Sequence, residues 1–346
     1  MLGIAAPLLD WFAAHRRILP FREDPTPYHI WISEIMLQQT RMQTVLPYYM
    51  RFMEAYPTPA ALAAADPAAL HKIWEGLGYY SRADNLRRAA GIIAAQYGGE
   101  MPRSWDELRA LPGIGDYTAG AIASISCQIP VPAVDGNVLR VFARLYNDGA
   151  DVAAASVKRR FTERVREELP HDRPGDFNQA LMELGALVCV PGRPQCGDCP
   201  LADRCLAAAA GTAASLPAKK EKKPRRAVRV TVLVVHSPAG VLLQRRPASG
   251  LLAGLWQPLT WEEPLEAAEV AARLCALVPG ARLGEALPAA RHVFTHLEWT
   301  LGGYFARAEA APPLPENMVW AAPEALTAYA IPSAFAAYRA FLSETE

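Results

Sequence analysis

The run CVPGRPQCGDCPLADRC puts Cys189, Cys196, Cys199 and Cys205 at spacings C-x6-C-x2-C-x5-C, in a chain with only two other cysteines. Four thiolates this close in sequence can wrap one metal centre, which ties the end of a helical region into a fixed knot of turns. A zinc ribbon usually offers two C-x2-C pairs. Here only Cys196 and Cys199 form such a pair, with single cysteines on either side. The arrangement suits an iron–sulfur cubane bound by four thiolates. Zinc, or four unrelated cysteines, are the alternatives that spacing leaves open. The opening MLGIAAPLLDWFAAHRR lacks a basic stretch before its short apolar run, and nowhere are there 18 consecutive apolar residues. A secretory signal and a membrane span are therefore not expected. The expected compartment is reducing and intracellular, where clustered cysteines bind metal more often than they pair. Cys127 and Cys275 sit among apolar residues and are expected in the core.

The 346 residues suffice for two domains. Residues 8–206 read mostly as helices separated by Pro- and Gly-marked breaks, such as YPTP at 56–59 and QIPVPAVDG at 128–136. WISEIMLQQTRMQTVLPYYMRFM fits a helical period better than strand alternation. After Cys205, GTAASLPAKKEKKPRR reads as a linker; its Lys/Arg cluster is either a solvated hinge or a phosphate contact. From Arg226 the pattern changes. AVRVTVLVVHSPAGVLLQRR reads as strand, turn, strand, HLEWTLGGYFARAEA as a strand, and NMVWAAPEAL as strand into helix. The expected domains are a helical one at 1–206, a linker at 207–227 and a small α+β domain at 228–346. Net charge is zero, which argues against a protein that coats nucleic acid without selectivity, yet residues 1–230 hold 28 of the 35 basic and 24 of the 35 acidic residues.

LPGIGDYTAGAIAS places Gly113 and Gly115 in a tight turn between two helices, the second starting near Asp116. Backbone N–H groups at such a turn can hold a phosphate. Two carboxylates stand out by setting. Glu34 lies in the apolar stretch WISEIMLQQT, where partial burial would raise its pKa toward that of a general acid. Asp135 follows PVPAV and opens DGNVLRVFARLYN, where it is either a helix cap or an ionised group facing developing positive charge. Glu183, in FNQALMELGALVC, is a third carboxylate in an apolar helix.

These blocks together resemble the adenine DNA glycosylases of the MutY family, within the endonuclease III-like helix–hairpin–helix superfamily. The resemblance runs through PFR at 20–22, WISEIMLQQTRMQTVLPYY, WEGLGYYSRADNL, LPGIGDYTAGAIAS, VDGNVLRVFARL, DFNQALMELGALVC and the cysteine run, and continues through LLQRRPASGLLAGLWQ and RHVFTHLEW. It implies a mainly α helix–hairpin–helix glycosylase fold with one [4Fe-4S] cluster on the four cysteines, followed by an α+β Nudix-like domain. It implies removal of adenine mispaired with 8-oxoguanine or guanine, after the base leaves the stack. Glu34 is then the acid that protonates adenine, and Asp135 stabilises the oxocarbenium-like sugar, electrostatically or covalently. Tyr117 and Asn137 orient these groups, and Glu183 binds adenine or relays a proton. Gln39, Thr40 and Tyr79 fill the helix near the lesion. Bifunctional relatives carry an amine nucleophile where this chain has Tyr117, so a monofunctional enzyme is implied.

The C-terminal region is similar to hydrolases of nucleoside diphosphate derivatives but lacks their clustered glutamates, so metal-assisted pyrophosphate hydrolysis has no obvious ligands. In the family this domain recognises 8-oxoguanine. The contact segment carried over is Phe294-Thr295-His296, with threonine where the family pattern has serine; the hydroxyl survives. The implied partner is duplex DNA with an adenine:8-oxoguanine or adenine:guanine mispair, bound by a monomer in a bacterial cytoplasm, with a repair or replication protein touching the linker. The rival readings are a bifunctional glycosylase/lyase of oxidised pyrimidines and a non-catalytic iron–sulfur DNA-binding protein.

Overall fold

Three early helices begin with the same local signal, a hydroxyl or carboxylate followed by proline. Thr26, Thr58 and Asp66 accept hydrogen bonds from the backbone N–H groups of His29, Ala61 and Ala69, and Pro27, Pro59 and Pro67 occupy the first helical position. The cap satisfies an orphan donor, and the proline needs none. The computed structural model describes residues 2–218 and 224–344. Its contacts divide the chain into two compact units: Met1–Ala64 with Asn85–Glu221, and Ala65–Asp84 with Lys222–Glu346. The expected basic cluster at 219–223 lies outside the described residues.

The first unit is helical. The helix Ala5–His15 packs against Pro174–Leu187, which also packs against Gly136–Leu145 and Asp116–Cys127. The apolar faces of Ala5–His15, Gly136–Leu145, Ala155–Glu168 and Pro174–Leu187 form one core that includes Phe12, Phe142, Phe161, Phe177 and Leu181. The stretch that reads as continuous helix is two, Pro27–Leu37 and Met42–Ala55. The break falls at 38–41, where Gln39 takes a φ of +58°. The buried Asn178 fixes another loop: its amide donates to Ser124 Oγ and Val131 O, both at 2.9 Å, and its carbonyl accepts from Ala133 N. With all these groups satisfied, the polar side chain stabilises rather than costs. It pins the segment that leads into Asp135. Gly120 permits the same approach, since a Cβ there would lie 2.3 Å from the Pro132 carbonyl oxygen.

The second unit contains a seven-stranded sheet: β1 (Arg226–Ser237), β2 (Gly240–Arg245), β3 (Trp256–Gln257), β4 (Leu259–Trp261), β5 (Arg282–Val293), β6 (Leu297–Arg307) and β7 (Met318–Ala321). The main order is β3-β2-β1-β6-β5, with β4 on β1 and β7 on β2. β1 and β6 run parallel; the other pairs are antiparallel. The run VTVLVV in β1 is buried throughout, and apolar except for Thr231, because both sheet faces are covered. Val230, Val232 and Val234 point into a core with Phe335 and Tyr338, and Leu233 and Val235 into one with Val270 and Leu274 of the helix Ala267–Leu277. The strand–turn–strand reading of 227–246 holds, with strands at Arg226–Ser237 and Gly240–Arg245. The helix expected after β7 is a short 3-10 turn, Pro323–Ala328. Cys275 is exposed, on the outer side of Ala267–Leu277, instead of lying in the core, and Cys127 is only half-buried.

Candidate active site

Gly113 and Gly115 form the turn between helices Trp105–Ala110 and Asp116–Cys127. Gly113 has a φ of +78°, and a Cβ there would meet Asn85 Cβ at 2.8 Å; Gly115 has an ordinary φ and open space around it. The first glycine makes the turn and the second leaves the start of the longer helix bare of side chain, so its N–H groups can approach an anion.

That longer helix delivers Tyr117 to a cleft of about 840 Å³, lined also by Glu34, Gln39, Thr40, Asp135, Asn137 and Glu183. Seven residues read from separate parts of the sequence thus meet in one place. Glu34 is buried on Pro27–Leu37 and accepts a hydrogen bond from the Tyr117 hydroxyl at 2.5 Å. Burial pushes its carboxyl up to about 7; the nearby Asp135 charge adds to this, and the Tyr117 hydrogen bond and Arg22 restrain it. Burial also raises the Tyr117 hydroxyl well above its ordinary value, so it stays a donor. Its oxygen also touches the Met182 sulfur at 3.1 Å.

Asp135 is the N-cap of Gly136–Leu145 and accepts from Val138 N at 2.8 Å and from the Asn137 amide at 2.7 Å. Burial raises its pKa, while those hydrogen bonds and the Arg140 charge work against the rise. Capping and facing the cleft are one arrangement here. Arg140 bridges onward: it donates to Asn137 Oδ1, Gly185 O and Cys189 O, each at 2.8 Å. Gly185 lets Asn137 sit this close, since a Cβ there would lie 2.6 Å from Asn137 Cβ.

Glu183 is gripped by two arginines that sequence reading alone does not single out. Arg17 contacts both its oxygens at 2.7 Å, and Arg22 contacts Oε2 at 2.9 Å. Burial works to raise this carboxyl, but the two guanidiniums outweigh it and hold it down at about 2. Arg22 lies in the PFR segment; nothing local marks Arg17, which pairs with a residue far along the chain.

The four cysteines line one small, mostly apolar cavity with Arg144. None is in a disulfide. Among the described residues, no three His, Cys, Asp or Glu side chains converge closely enough for a single metal ion. Four thiols lining one cavity are a donor set that fits a thiolate-bound cluster. The fully buried Arg144 donates to Cys189 Sγ at 3.2 Å and to the carbonyls of Cys189 and Val190, but its Nη2 finds no partner. A buried cation beside four sulfurs is what an anionic cluster requires.

Tyr79, Phe294, Thr295 and His296 do not line this cleft. They line a cavity of about 780 Å³ within the second unit, together with residues 248–253. Phe294-Thr295-His296 form the tight connection between β5 and β6, closed by a hydrogen bond from Phe294 N to Leu297 O. The Thr295 hydroxyl contacts the Tyr79 hydroxyl directly. Phe294 stands edge-on to Trp299 at 5.0 Å and to His292 at 4.6 Å.

A base excision DNA repair model, that of the HhH-GPD superfamily, matches residues 32–167, and a NUDIX domain model matches 230–340. A solved thermostable thymine-DNA glycosylase is 26% identical with a TM-score of 0.55, over 60% of this chain and 95% of that one. An endonuclease III in a DNA complex shares the fold at 24% identity and a TM-score of 0.52. Fold and cleft thus define a helix–hairpin–helix base-excision protein carrying a Nudix-like domain. Adenine DNA glycosylase of Mus musculus is 36% identical over 90% of this chain and 73% of its own length; that of Rattus norvegicus is 36% identical over 86% and 69%. The chain belongs to the adenine DNA glycosylase family. Among the described residues no helix is long and apolar enough to cross a membrane.

Proposed function

We propose that this chain is a monofunctional glycosylase that hydrolyses the N-glycosidic bond of adenine mispaired with 8-oxoguanine or guanine in duplex DNA. The observation that carries the reading is the meeting of Glu34, Tyr117 and Asp135 in one cleft. Adenine enters extruded from the stack. Glu34, half-protonated near neutral pH, donates its proton to a ring nitrogen of the base. The glycosidic bond breaks, its electron pair leaves with the base, and positive charge develops on the sugar. Asp135, fixed by Val138 N and Asn137, faces that charge. Water adds to the sugar carbon, loses a proton and leaves an abasic site. Glu183, ionised and held by Arg17 and Arg22, is an acceptor for adenine, not a proton relay. Gln39 and Thr40, on the break between two helices, enter the duplex. Tyr117 has no amine, so no Schiff base forms and the strand is left intact.

Cys189, Cys196, Cys199 and Cys205 hold one [4Fe-4S] cluster, which fixes the turns after Pro174–Leu187, the helix that carries Glu183. The hairpin of Gly113 and Gly115 holds a phosphate of the DNA backbone without reading bases. The connection Phe294-Thr295-His296, with Tyr79, recognises 8-oxoguanine. The protein works as a monomer, and other repair proteins bind the linker; of the expected 207–227, Ala207 and Ala213 are buried in the first unit, and Arg226 and Ala227 begin β1.

The test uses three duplexes: adenine opposite 8-oxoguanine, adenine opposite guanine, and an oxidised pyrimidine. The expected result is adenine release from the first two, with strand breaks only after alkali. Direct nicking, or attack on the oxidised pyrimidine alone, overturns the reading in favour of the bifunctional enzyme; DNA binding without base release overturns it in favour of a non-catalytic protein.

A further inference from the structure

The sequence Trp74-Glu-Gly-Leu-Gly-Tyr79 makes a turn that few chains would hold unaided. Gly76, Gly78 and Tyr79 all have positive φ, at +101°, +70° and +47°. For tyrosine the left-handed region costs of order 1 kcal/mol or more and persists only where its surroundings impose it. Two side chains hold the turn from within. The Trp74 indole donates to Gly78 O at 3.1 Å, and Arg82 donates to Leu77 O at 2.9 Å and Gly78 O at 3.1 Å. The strained residue is the one that presents its hydroxyl to Thr295.

A second hold enters from the far end of the chain. Glu75, the first residue of the turn, has both carboxylate oxygens engaged: Oε2 accepts from Lys72 Nζ at 2.5 Å, and Oε1 from Arg339 Nη2 at 2.5 Å. Its side chain is only 12% exposed. Lys72 also donates to the Tyr329 carbonyl at 3.3 Å. Arg339 opens the last helix, Arg339–Leu342, directly after Ser333–Tyr338, whose first residues line the same cavity as Thr295. One end of the turn is therefore tied to the segment that walls the Thr295 cavity, and the other end carries Tyr79 into it.

We propose that Glu75 and Arg339 form a clasp that positions Tyr79 against Thr295 and so sets how strongly the enzyme discriminates 8-oxoguanine from guanine opposite the target adenine. The clasp touches neither base nor sugar; it acts through the turn. It rests on the assignment of Tyr79 and Thr295 to lesion recognition. Arg339 is more than half exposed, so its ion pair is screened and its effect is modest.

The test compares wild type with Glu75→Gln, Arg339→Met, the double variant and the exchange Glu75→Arg/Arg339→Glu. Single-turnover excision is measured opposite 8-oxoguanine and opposite guanine, and amide hydrogen exchange is followed in residues 76–80. Each single change is expected to speed exchange in the turn and to lower the 8-oxoguanine-to-guanine rate ratio by about three- to fivefold, the range of a partly exposed pair. The rate opposite guanine should stay unchanged. The double variant should lose no more than either single one, and the exchange should recover part of the ratio. Additive losses, or equal falls in both rates, overturn the clasp in favour of general destabilisation. Unchanged exchange overturns it whatever the activity shows. Faster exchange in a protein whose wild type does not distinguish the two bases leaves the clasp standing as a structural tie, but overturns its role in discrimination and, separately, the recognition assignment.

Discussion

Glu34 and Glu183 are glutamates in the same cleft, held at about 7 and about 2. The difference lies in what surrounds them: apolar burial for one, two guanidiniums for the other. If Glu34 acts in its protonated form, as proposed, excision should slow as pH rises through about 7, following a single ionisation in the single-turnover rate. Glu183 contributes in the opposite sense. Its folded pKa lies below the ordinary 4.5, so its stabilisation is full above about 4.5 and is lost as pH falls toward 2. Glu183→Gln leaves Arg17 and Arg22 without their counter-charge. It should lower stability by on the order of 2–3 kcal/mol in urea unfolding at neutral pH, with the gap to wild type closing in acid. Glu34 was readable from its apolar neighbours. The state of Glu183 was not, because Arg17 and Arg22 stand 166 and 161 residues away and no local pattern announces the pairing.

At the scale of elements, the hairpin separates two glycines that look alike in LPGIG. Gly113→Ala places a side chain at φ +78° and against Asn85, and should cost about 1–3 kcal/mol of stability along with weaker DNA binding. Gly115→Ala meets open space at an ordinary φ and should cost less than about 1 kcal/mol. Thermal unfolding of the two variants decides the comparison. Helices and strands were legible where the local pattern was strong, as in the mostly β-branched run VTVLVV of β1. Two features were hidden. The helix over 31–53 is interrupted at 38–41 although its apolar period continues across the break, and that interruption brings Gln39 and Thr40 to the cleft. Apolar neighbours in sequence also misplaced Cys275, which lies on the solvent side of its helix: a single residue's local hydrophobicity does not say which way a helical face turns.

For the molecule as a whole, two units and the change of character near Arg226 could be read from pattern alone. The grouping of residues 65–84 with the C-terminal unit could not, since it rests on contacts such as Lys72 with Tyr329 and Glu75 with Arg339. The cysteine spacing pointed to a cluster but left zinc open; membership of the adenine DNA glycosylase family decides for [4Fe-4S], and the shared cavity with the unpartnered Arg144 Nη2 is compatible with it. If recognition and chemistry are divided between two cavities, Thr295→Ala with His296→Ala should lower the preference for 8-oxoguanine while excision opposite guanine persists, which paired single-turnover rates on the two duplexes would reveal. The most direct test of the whole account is Glu34→Gln on a duplex with adenine opposite 8-oxoguanine. The variant is expected to bind the duplex as tightly as wild type but to release no adenine, because an amide replaces the acid proposed to protonate the base. Adenine release at the wild-type rate would contradict it.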